Sequence, residues 1–227
     1  ETAAIFLPDG ETPKTGEKIT NPNLARTLET FATEGRDRFY GGAVAQEIVR
    51  FSKAHGGLIS LEDLAAQRAR WGDPISTEYR GVTVYNTPPP TQGMTVLEML
   101  NILEPYDLAN MPFLGPDHIH AMVEAKQLAF NDRDRLLADP EFEDVPLDQL
   151  LSKTYANERA ALIDMNTAMP WDQVPSYGSL DGDTVYIATV DADGNAVSLI
   201  QSLYAAFGSG VVAGNTVTFG CALSLRK

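Results

Sequence analysis

Apolar residues recur at helical spacing along the first part of the chain and alternate at strand spacing near its end. Asn21-Pro22 predicts the start of a helix, because Asn is a favoured cap and Pro suits the first helical position. Apolar residues follow at positions 24, 28 and 31, and this helix is predicted to end near Gly35. The first part of the chain is therefore predicted to be mainly helical.

Further helices are predicted from the same pattern. One follows Gly42, a short one follows a capping-box sequence at residues 60–63, one spans Met94 to Leu103, and short ones lie between residues 146 and 163. The longest helical pattern runs from Pro116 to Leu137 and ends before Asp139-Pro140. Its apolar residues are Ile119, Met122, Val123, Leu128 and Leu136.

Several other segments are predicted to be strands, extended segments or loops. Tyr79 to Tyr85 alternates and carries β-branched residues, which predicts a strand. Pro88-Pro89-Pro90 predicts a stiff, extended entry into the next helix; a role as a ligand for an aromatic-lined groove is the less favoured alternative. Residues 165–183 predict an exposed linker. Two strands joined by an Asp-Gly turn at residues 191–195 are predicted to follow.

The composition disfavours several classes of binding partner and site. The 227 residues carry a formal net charge of −14, and a polyanion repels phosphate, so nucleic acid and anionic membranes are not expected partners. No apolar run reaches the roughly 18 residues that a membrane helix needs, and the first residues lack a signal-peptide pattern. The single cysteine, Cys221, excludes an internal disulfide. With three dispersed His residues and one Cys, we expect no metal site.

Asp191-Ala192-Asp193-Gly194-Asn195 resembles the front of a calcium-binding loop. Such a loop needs a Glu at its twelfth position, and that position is Ser202 in this chain. The flanking segments are predicted strands rather than helices. A hairpin turn is therefore the favoured interpretation.

Two other groups of ionisable residues allow more than one interpretation. His118 and His120 lie two positions apart on a predicted helix, so they point to different faces, and a surface or interface role is favoured over metal ligation. A charged cluster occupies residues 132–135, with the sequence Asp-Arg-Asp-Arg. Surface ion pairing is its default interpretation, and a buried Arg–Asp network is the alternative.

Thr184 begins the first of the two late strands, directly after the predicted linker. A strand threonine is ordinary by itself, and its hydroxyl is a weak nucleophile unless a base lies beside it. A cut just before Thr184 would create an α-amine with a reference pKa of about 8, which could act as that base. Ser198 and Ser202 lie at positions of equal parity on the next strand and are candidate partner hydroxyls.

Short motifs occur in a fixed order along the chain. Before Thr184 they are Asn23-Leu24-Ala25, Phe39-Tyr40 with Gly42, Gly56-Gly57-Leu58-Ile59 with Glu62-Asp63-Leu64, Tyr79-Arg80-Gly81, Pro88-Pro89-Pro90 with Gly93, and Asp132-Arg133 with Asp139-Pro140. From Thr184 onward they are Thr184 itself, Val190-Asp191, Asp193-Gly194-Asn195-Ala196-Val197 and Phe207-Gly208-Ser209-Gly210. In this order, from about Ile5 to about Gly214, they resemble the γ-glutamyltransferase (γ-glutamyl transpeptidase) family of N-terminal-nucleophile hydrolases.

The resemblance implies a precursor that cleaves itself between Asp183 and Thr184 and then acts as a heterodimer of a large and a small subunit. Residues 1–183 would be the C-terminal part of the large subunit, residues 184–214 the start of the small subunit, and residues 215–227 a tail outside the family pattern. Thr184 would attack the carbonyl of a γ-glutamyl amide such as that of glutathione. Ser202 would hydrogen-bond the nucleophile, and no cofactor is implied.

The fold that the resemblance implies is α+β, a four-layer αββα sandwich. This chain would hold the helical half of the large subunit and only the first strands of the small subunit. Those strands would have unpaired edges and exposed apolar faces, which favour aggregation.

Three features depart from the family pattern. Tyr204 stands where the family usually has an Asn that contacts the substrate α-amino group, which favours the branch that includes cephalosporin-type acylases. The part of the large subunit that carries the Arg for the substrate carboxylate lies outside this sequence. Residues 215–227 lack the family's Gly-Gly oxyanion hole, worth about 3–4 kcal/mol in acyl transfer, and resemble a truncation or a shifted reading frame.

Three functions are therefore considered. The first is γ-glutamyl transfer or hydrolysis, with this chain alone feeble or inert. The second is an acylase of the same family that acts on other amides, and the third is a non-catalytic fragment. The substrate, the acceptor, the compartment and the oligomeric state are left open by the sequence.

Overall fold

The computed structural model describes residues 2–170, 184–202, 210–216 and 218–219, and within them it combines helices with two-stranded sheets, as expected for an α+β chain. The helices are α1 (Thr2–Phe6), α2 (Pro22–Gly41), α3 (Ala43–Ala54), α4 (Leu61–Ala66), α5 (Gly93–Leu103), α6 (Pro116–Leu136), α7 (Leu147–Leu150) and α8 (Lys153–Ala160). The strands are β1 (Ile75–Tyr79), β2 (Val82–Asn86), β3 (Thr184–Val190), β4 (Ala196–Ser202), β5 (Val211–Val212) and β6 (Thr218–Phe219). No helix in these ranges is long and apolar enough to cross a membrane.

The chain divides into two compact units. Unit 1 comprises Glu1–Ala69 and Gly178–Lys227, and unit 2 comprises Arg70–Tyr177. These units differ from the predicted subunits on either side of Thr184. The units are defined by packing, whereas the predicted subunits are defined by a cleavage of the chain.

The helix starts predicted in unit 1 are confirmed. The Asn21 side chain accepts a hydrogen bond from the Leu24 amide at 3.0 Å and so caps α2. α2 continues to Gly41, but Gly35 interrupts it with a φ of 75°, at the residue where the helix was predicted to end. At α4, the Ser60 hydroxyl accepts from the Asp63 amide and the Asp63 carboxylate accepts from the Ser60 amide, which completes the predicted capping box.

The core of unit 1 joins α3 to the segment that follows β5. Val44 and Ile48 of α3 are buried and pack against Ala213, which is fully buried. Thr216 is also buried, and its hydroxyl donates to the Ala213 carbonyl at 2.5 Å. Residues just beyond Gly214 therefore take part in a packed turn.

Unit 2 begins with a hairpin where a single strand was predicted. β1 and β2 pair antiparallel from Ile75–Asn86 to Tyr79–Val82. Arg80 and Gly81, both with positive φ, form the two-residue turn between the strands. The predicted strand from Tyr79 to Tyr85 is confirmed over residues 82–85, which belong to β2, and was wrong at its start, where it ran across this turn.

The proline segment is a turn and not an extended entry. The Thr91 amide donates to the Pro88 carbonyl at 3.1 Å, so the chain reverses within four residues. α5 then begins at Gly93, one residue before the predicted start, and ends at Leu103 as predicted.

α6 buries a face that the apolar pattern marks only at Leu128. Its bounds match the prediction to within one residue, yet Ile119, Met122 and Val123 are exposed. The buried positions recur at helical spacing and are mostly small or polar: Ala121, Glu124, Ala125, Gln127, Leu128, Ala129, Asp132 and Arg133. Small residues allow close packing, and the buried polar groups of α6 must then find partners inside unit 2.

Gly93→Ala should destabilise unit 2. A Cβ at this position would overlap the Thr87 carbonyl oxygen and lie 2.8 Å from Asn86 Oδ1. We expect a loss of about 1–3 kcal/mol in the free energy of unfolding, measured by urea titration with circular dichroism. Gly72→Ala is the matched control, because a Cβ there would make only an ordinary contact at 3.4 Å with Pro88. Equal stabilities of the two variants would contradict the steric argument.

Candidate active site

Thr184 and Ser202 are brought together by the hairpin of β3 and β4. The strands pair antiparallel along their whole length, from Thr184 opposite Ser202 to Val190 opposite Ala196. Directly opposite positions in an antiparallel pair share one face of the sheet, with Cβ atoms about 4.5–5.5 Å apart. The register thus places the backbone of the candidate partner directly across from the candidate nucleophile.

The turn at residues 191–195 closes this hairpin, as predicted. Asp191 Oδ1 accepts from the amides of Asp193 and Asn195, at 3.0 and 2.8 Å, and Oδ2 accepts from the Asn195 side chain. Hydrogen bonds from Asn195 hold the pKa of the Asp191 carboxyl below its ordinary value. Gly194, with a φ of 83°, completes the reversal. The Asp191 carboxylate is thereby occupied by the turn itself.

Ser198 does not reach the position of Thr184. It lies opposite Ala188, and its hydroxyl donates to the Tyr186 hydroxyl at 3.0 Å. Four strand positions separate residues 184 and 188, which corresponds to about 13 Å along the strand. Of the two candidate hydroxyl partners, the register therefore supports Ser202.

Both faces of this hairpin carry exposed apolar side chains. Tyr186 and Ile200 face one side, while Ile187 and Leu199 face the other, and these four residues are between 48% and 68% exposed. The sheet that contains β3 and β4 has two strands in the part of the chain that the structure describes. The expected exposure of apolar strand faces is thus present.

Two predicted site residues lie outside the described part of the chain. These are Asp183, on the predicted cleavage bond, and Tyr204, predicted to contact substrate. For Thr184 and Ser202 the structure describes the backbone, and their catalytic roles stay predictions. Within the described ranges, no group of three His, Cys, Asp or Glu side chains could hold a metal ion.

The default interpretation of the charged cluster at residues 132–135 was wrong, because half of it is buried. Asp132 is 2% exposed, accepts from the Tyr155 hydroxyl at 2.8 Å and forms an ion pair with Arg159. Arg133 donates to Asp134 at 2.9 Å and to Gln92 at 2.6 Å. The buried Arg–Asp network was the correct alternative. Its partners on α8 lie more than twenty residues away, so spacing in the sequence could not reveal them.

The two histidines of α6 have separate contacts. The His118 ring lies 5.7 Å from the ring of Phe113, and its Nδ1 is buried without a hydrogen-bond partner. His120 Nε2 lies 3.0 Å from the Asp164 carbonyl oxygen. Their different surroundings agree with the prediction that the two rings point to different faces of the helix.

Glu98 is a buried carboxyl group that the sequence analysis missed. It lies on α5, has no exposed surface and neighbours Asp132. Burial raises the pKa of the Glu98 carboxyl well above its ordinary range, and the Asp132 carboxylate raises it further. The detectable signal was a lone acidic residue within the apolar pattern of Met94 to Leu103.

Comparison with known proteins identifies relatives along nearly the whole chain. The model of the γ-glutamyltranspeptidase family matches residues 1–219, which extends past Gly214, where the resemblance was expected to end. A glutathione hydrolase-like proenzyme of Bacillus subtilis (strain 168) is 44% identical over 95% of this chain and 40% of its own length. A glutathione hydrolase proenzyme of Escherichia coli (strain K12) is 41% identical over 94% of this chain and 37% of its own.

Solved structures agree with these relatives. The cephalosporin acylase from Bacillus halodurans superposes with a TM-score of 0.77 at 36% identity, over 96% of this chain and 39% of that one. The chain thus spans about two fifths of the length of the relatives it matches.

Glu98→Gln should change how stability depends on pH. Because the native pKa of Glu98 is raised, unfolding releases a proton above the ordinary pKa of 4.5, so Glu98 costs stability increasingly as pH rises. We expect the stability of the variant relative to wild type to rise between about pH 5 and pH 7, by at most about 1.4 kcal/mol per pH unit. Urea titrations across this range measure the difference.

Glu104→Gln is the matched control for this prediction. A hydrogen bond from Lys153 lowers the pKa of Glu104, so its contribution is already complete above pH 4.5 and should not change across the same range. A pH-independent difference between wild type and Glu98→Gln would show that Glu98 is ionised in the native state.

Proposed function

Because this chain belongs to the γ-glutamyltranspeptidase family, we propose that it carries the nucleophile of a self-cleaving enzyme that hydrolyses or transfers γ-glutamyl groups, with Thr184 as that nucleophile. The observation that carries the proposal is the register of the hairpin, in which Ser202 lies directly opposite Thr184. The relatives named proenzymes support the same assignment.

The Thr184 hydroxyl has two proposed uses, first in maturation and then in catalysis. In the precursor the hydroxyl oxygen attacks the carbonyl carbon of Asp183, and the hydroxyl proton passes to the Thr184 nitrogen as the C–N bond breaks, so that an ester and a free α-amine form. Water then hydrolyses the ester, which leaves an α-carboxylate on Asp183 and restores the Thr184 hydroxyl. The resulting large subunit would end at Asp183 and the small subunit would start at Thr184.

In the mature enzyme the α-amine of Thr184 is the proposed general base. It takes the hydroxyl proton while the oxygen attacks the γ-glutamyl amide carbonyl, and the leaving amine receives a proton as the amide bond breaks. Water or an acceptor amine then attacks the acyl-enzyme ester and restores the hydroxyl. The Ser202 hydroxyl would orient the nucleophile, and Tyr204 would contact the substrate.

The same proposal includes the four-layer αββα sandwich and the two-subunit assembly. The apolar side chains exposed on both faces of the β3–β4 hairpin support it, because a strand pair in the middle of a sandwich is covered on both sides. Further strands beside β3 and β4 would also pair their free edges.

An acylase acting on other amides is the second candidate function. It is favoured by the likeness to the Bacillus halodurans cephalosporin acylase and by Tyr204 at the expected amine-contact position. The two candidates share Thr184 and differ in the group that the substrate presents near residue 204.

Cleavage between Asp183 and Thr184 should depend on the Thr184 hydroxyl. We expect it in a chimera in which this chain replaces the matching segment of the Bacillus subtilis relative, and we expect the isolated chain to stay uncleaved and inactive on γ-glutamyl p-nitroanilide. Thr184→Ala should abolish cleavage, Thr184→Ser should retain it, and Thr189→Ala, on the same strand, should leave it unchanged. Gel electrophoresis and intact-mass measurement locate the cut. A folded chimera that stays whole would contradict the assignment.

Tyr204→Asn should shift substrate preference toward γ-glutamyl amides in the cleaved chimera. The measurement compares kcat/KM for γ-glutamyl and glutaryl p-nitroanilide, which differ by the α-amino group. If residue 204 contacts that group, we expect the ratio to rise about tenfold, the value of one hydrogen bond to a charged group. An unchanged ratio would remove Tyr204 from the substrate site, and a wild-type preference for the glutaryl anilide would favour the acylase function.

A further inference from the structure

A cavity of about 420 Å³ lies within unit 2. Its wall is formed by one face of α6, by Arg159 of α8 and by the segment from Leu162 to Pro170. This volume falls within the range of small-molecule sites in proteins, about 300–1,000 Å³. The function proposed for Thr184 makes no use of the cavity.

Glu124 is the buried carboxylate in the wall of this cavity, and few groups compensate its negative charge. It is 1% exposed, and its Oε1 accepts one hydrogen bond, from the Met169 amide at 3.1 Å. It takes part in none of the ion pairs found among the described residues. Burying a carboxylate without a partner is costly, so a cation in the cavity would stabilise this arrangement.

The other charged groups of the wall do not neutralise Glu124. The guanidinium of Arg159 is engaged by the Asp132 carboxylate and by the Tyr155 hydroxyl. Asp164 adds a second negative charge, and its carboxylate accepts from the Asn166 amide at 2.9 Å. With Arg159 balanced by Asp132, the cavity is left with an excess of negative charge.

The chemistry of the wall selects among cations. No group of three metal-ligating side chains exists in the described ranges, which disfavours a metal ion. The wall also contains apolar side chains, among them Leu128, Leu162 and Ala168, and the amides of Gln127 and Asn131. A cation that combines N–H donors with a short hydrocarbon chain matches this mixture of a carboxylate, amides and apolar surface.

We propose that this cavity binds a primary alkylammonium ion, with the ammonium group on the Glu124 carboxylate and the alkyl chain against the apolar wall. The ammonium group supplies three donors, of which one bonds Glu124 and the others can reach amide oxygens or water. The Met169 amide holds the carboxylate in place, since it occupies one oxygen and leaves the other for the ligand.

The test is a calorimetric titration of the protein with n-butylammonium chloride at constant ionic strength, with 1-butanol as the neutral probe. We expect saturable binding of one n-butylammonium per chain, and binding of 1-butanol weaker by about tenfold or more, because the charge-assisted hydrogen bond is lost. Absence of saturable n-butylammonium binding would overturn the proposal, as would equal binding of 1-butanol.

Glu124→Gln removes the charge and keeps an oxygen for the Met169 amide. It should weaken n-butylammonium binding by about tenfold or more. Glu158→Gln makes the same change of net charge at an exposed position of α8 and should leave the affinity within about twofold. Ala168→Trp, which fills the cavity from an exposed position, should also abolish binding, and it tests the site if Glu124→Gln does not fold. Unaltered affinity in Ala168→Trp, or in a folded Glu124→Gln, would overturn the proposal.

Discussion

The packing of unit 2 depends on the ion pair and the hydrogen bond that the buried Asp132 carboxylate forms. A carboxylate out of water needs both a positive charge and hydrogen-bond donors, and Asp132 obtains them from Arg159 and Tyr155 of α8. To make these contacts α6 must turn its small and polar face inward. The apolar side chains on its other side, such as Ile119 and Met122, therefore remain exposed. Glu98 is buried beside Asp132, and its burial, with the Asp132 charge as a further cause, explains the raised pKa of its carboxyl.

The hairpin of unit 1 depends on a different constraint, the register of β3 and β4. A slip of one residue would move every side chain to the opposite face, and apolar residues on both faces of this hairpin cannot by themselves oppose such a slip. The Asp191 carboxylate does oppose it, because its hydrogen bonds to Asp193 and Asn195 fix the length of the turn. The turn that resembled a calcium loop thus serves to hold Ser202 opposite Thr184.

Local signals in the sequence predicted local structure well. The cap at Asn21, the capping box at Ser60 and the turn at Asp191 each involve residues within four positions of one another, and all three are confirmed. The errors occurred where a turn lay inside an apparently regular segment. The strand predicted from Tyr79 to Tyr85 included the turn at Arg80-Gly81 and missed most of β1. The segment of three prolines was expected to be extended, but the Pro88 carbonyl accepts a hydrogen bond from the Thr91 amide and the chain turns there.

The order of short motifs in the sequence was sufficient by itself to determine the family, the mixture of helices and strands, and Thr184 as the candidate nucleophile. Burial was decided only by the tertiary structure. Whether a charged residue such as Asp132 or Glu124 lies inside depends on partners far along the chain, and apolar periodicity contains no information about them. Only the folded chain could therefore show the buried network, the exposed side of α6 and the acidic cavity, because each of them arises from contacts between separate elements.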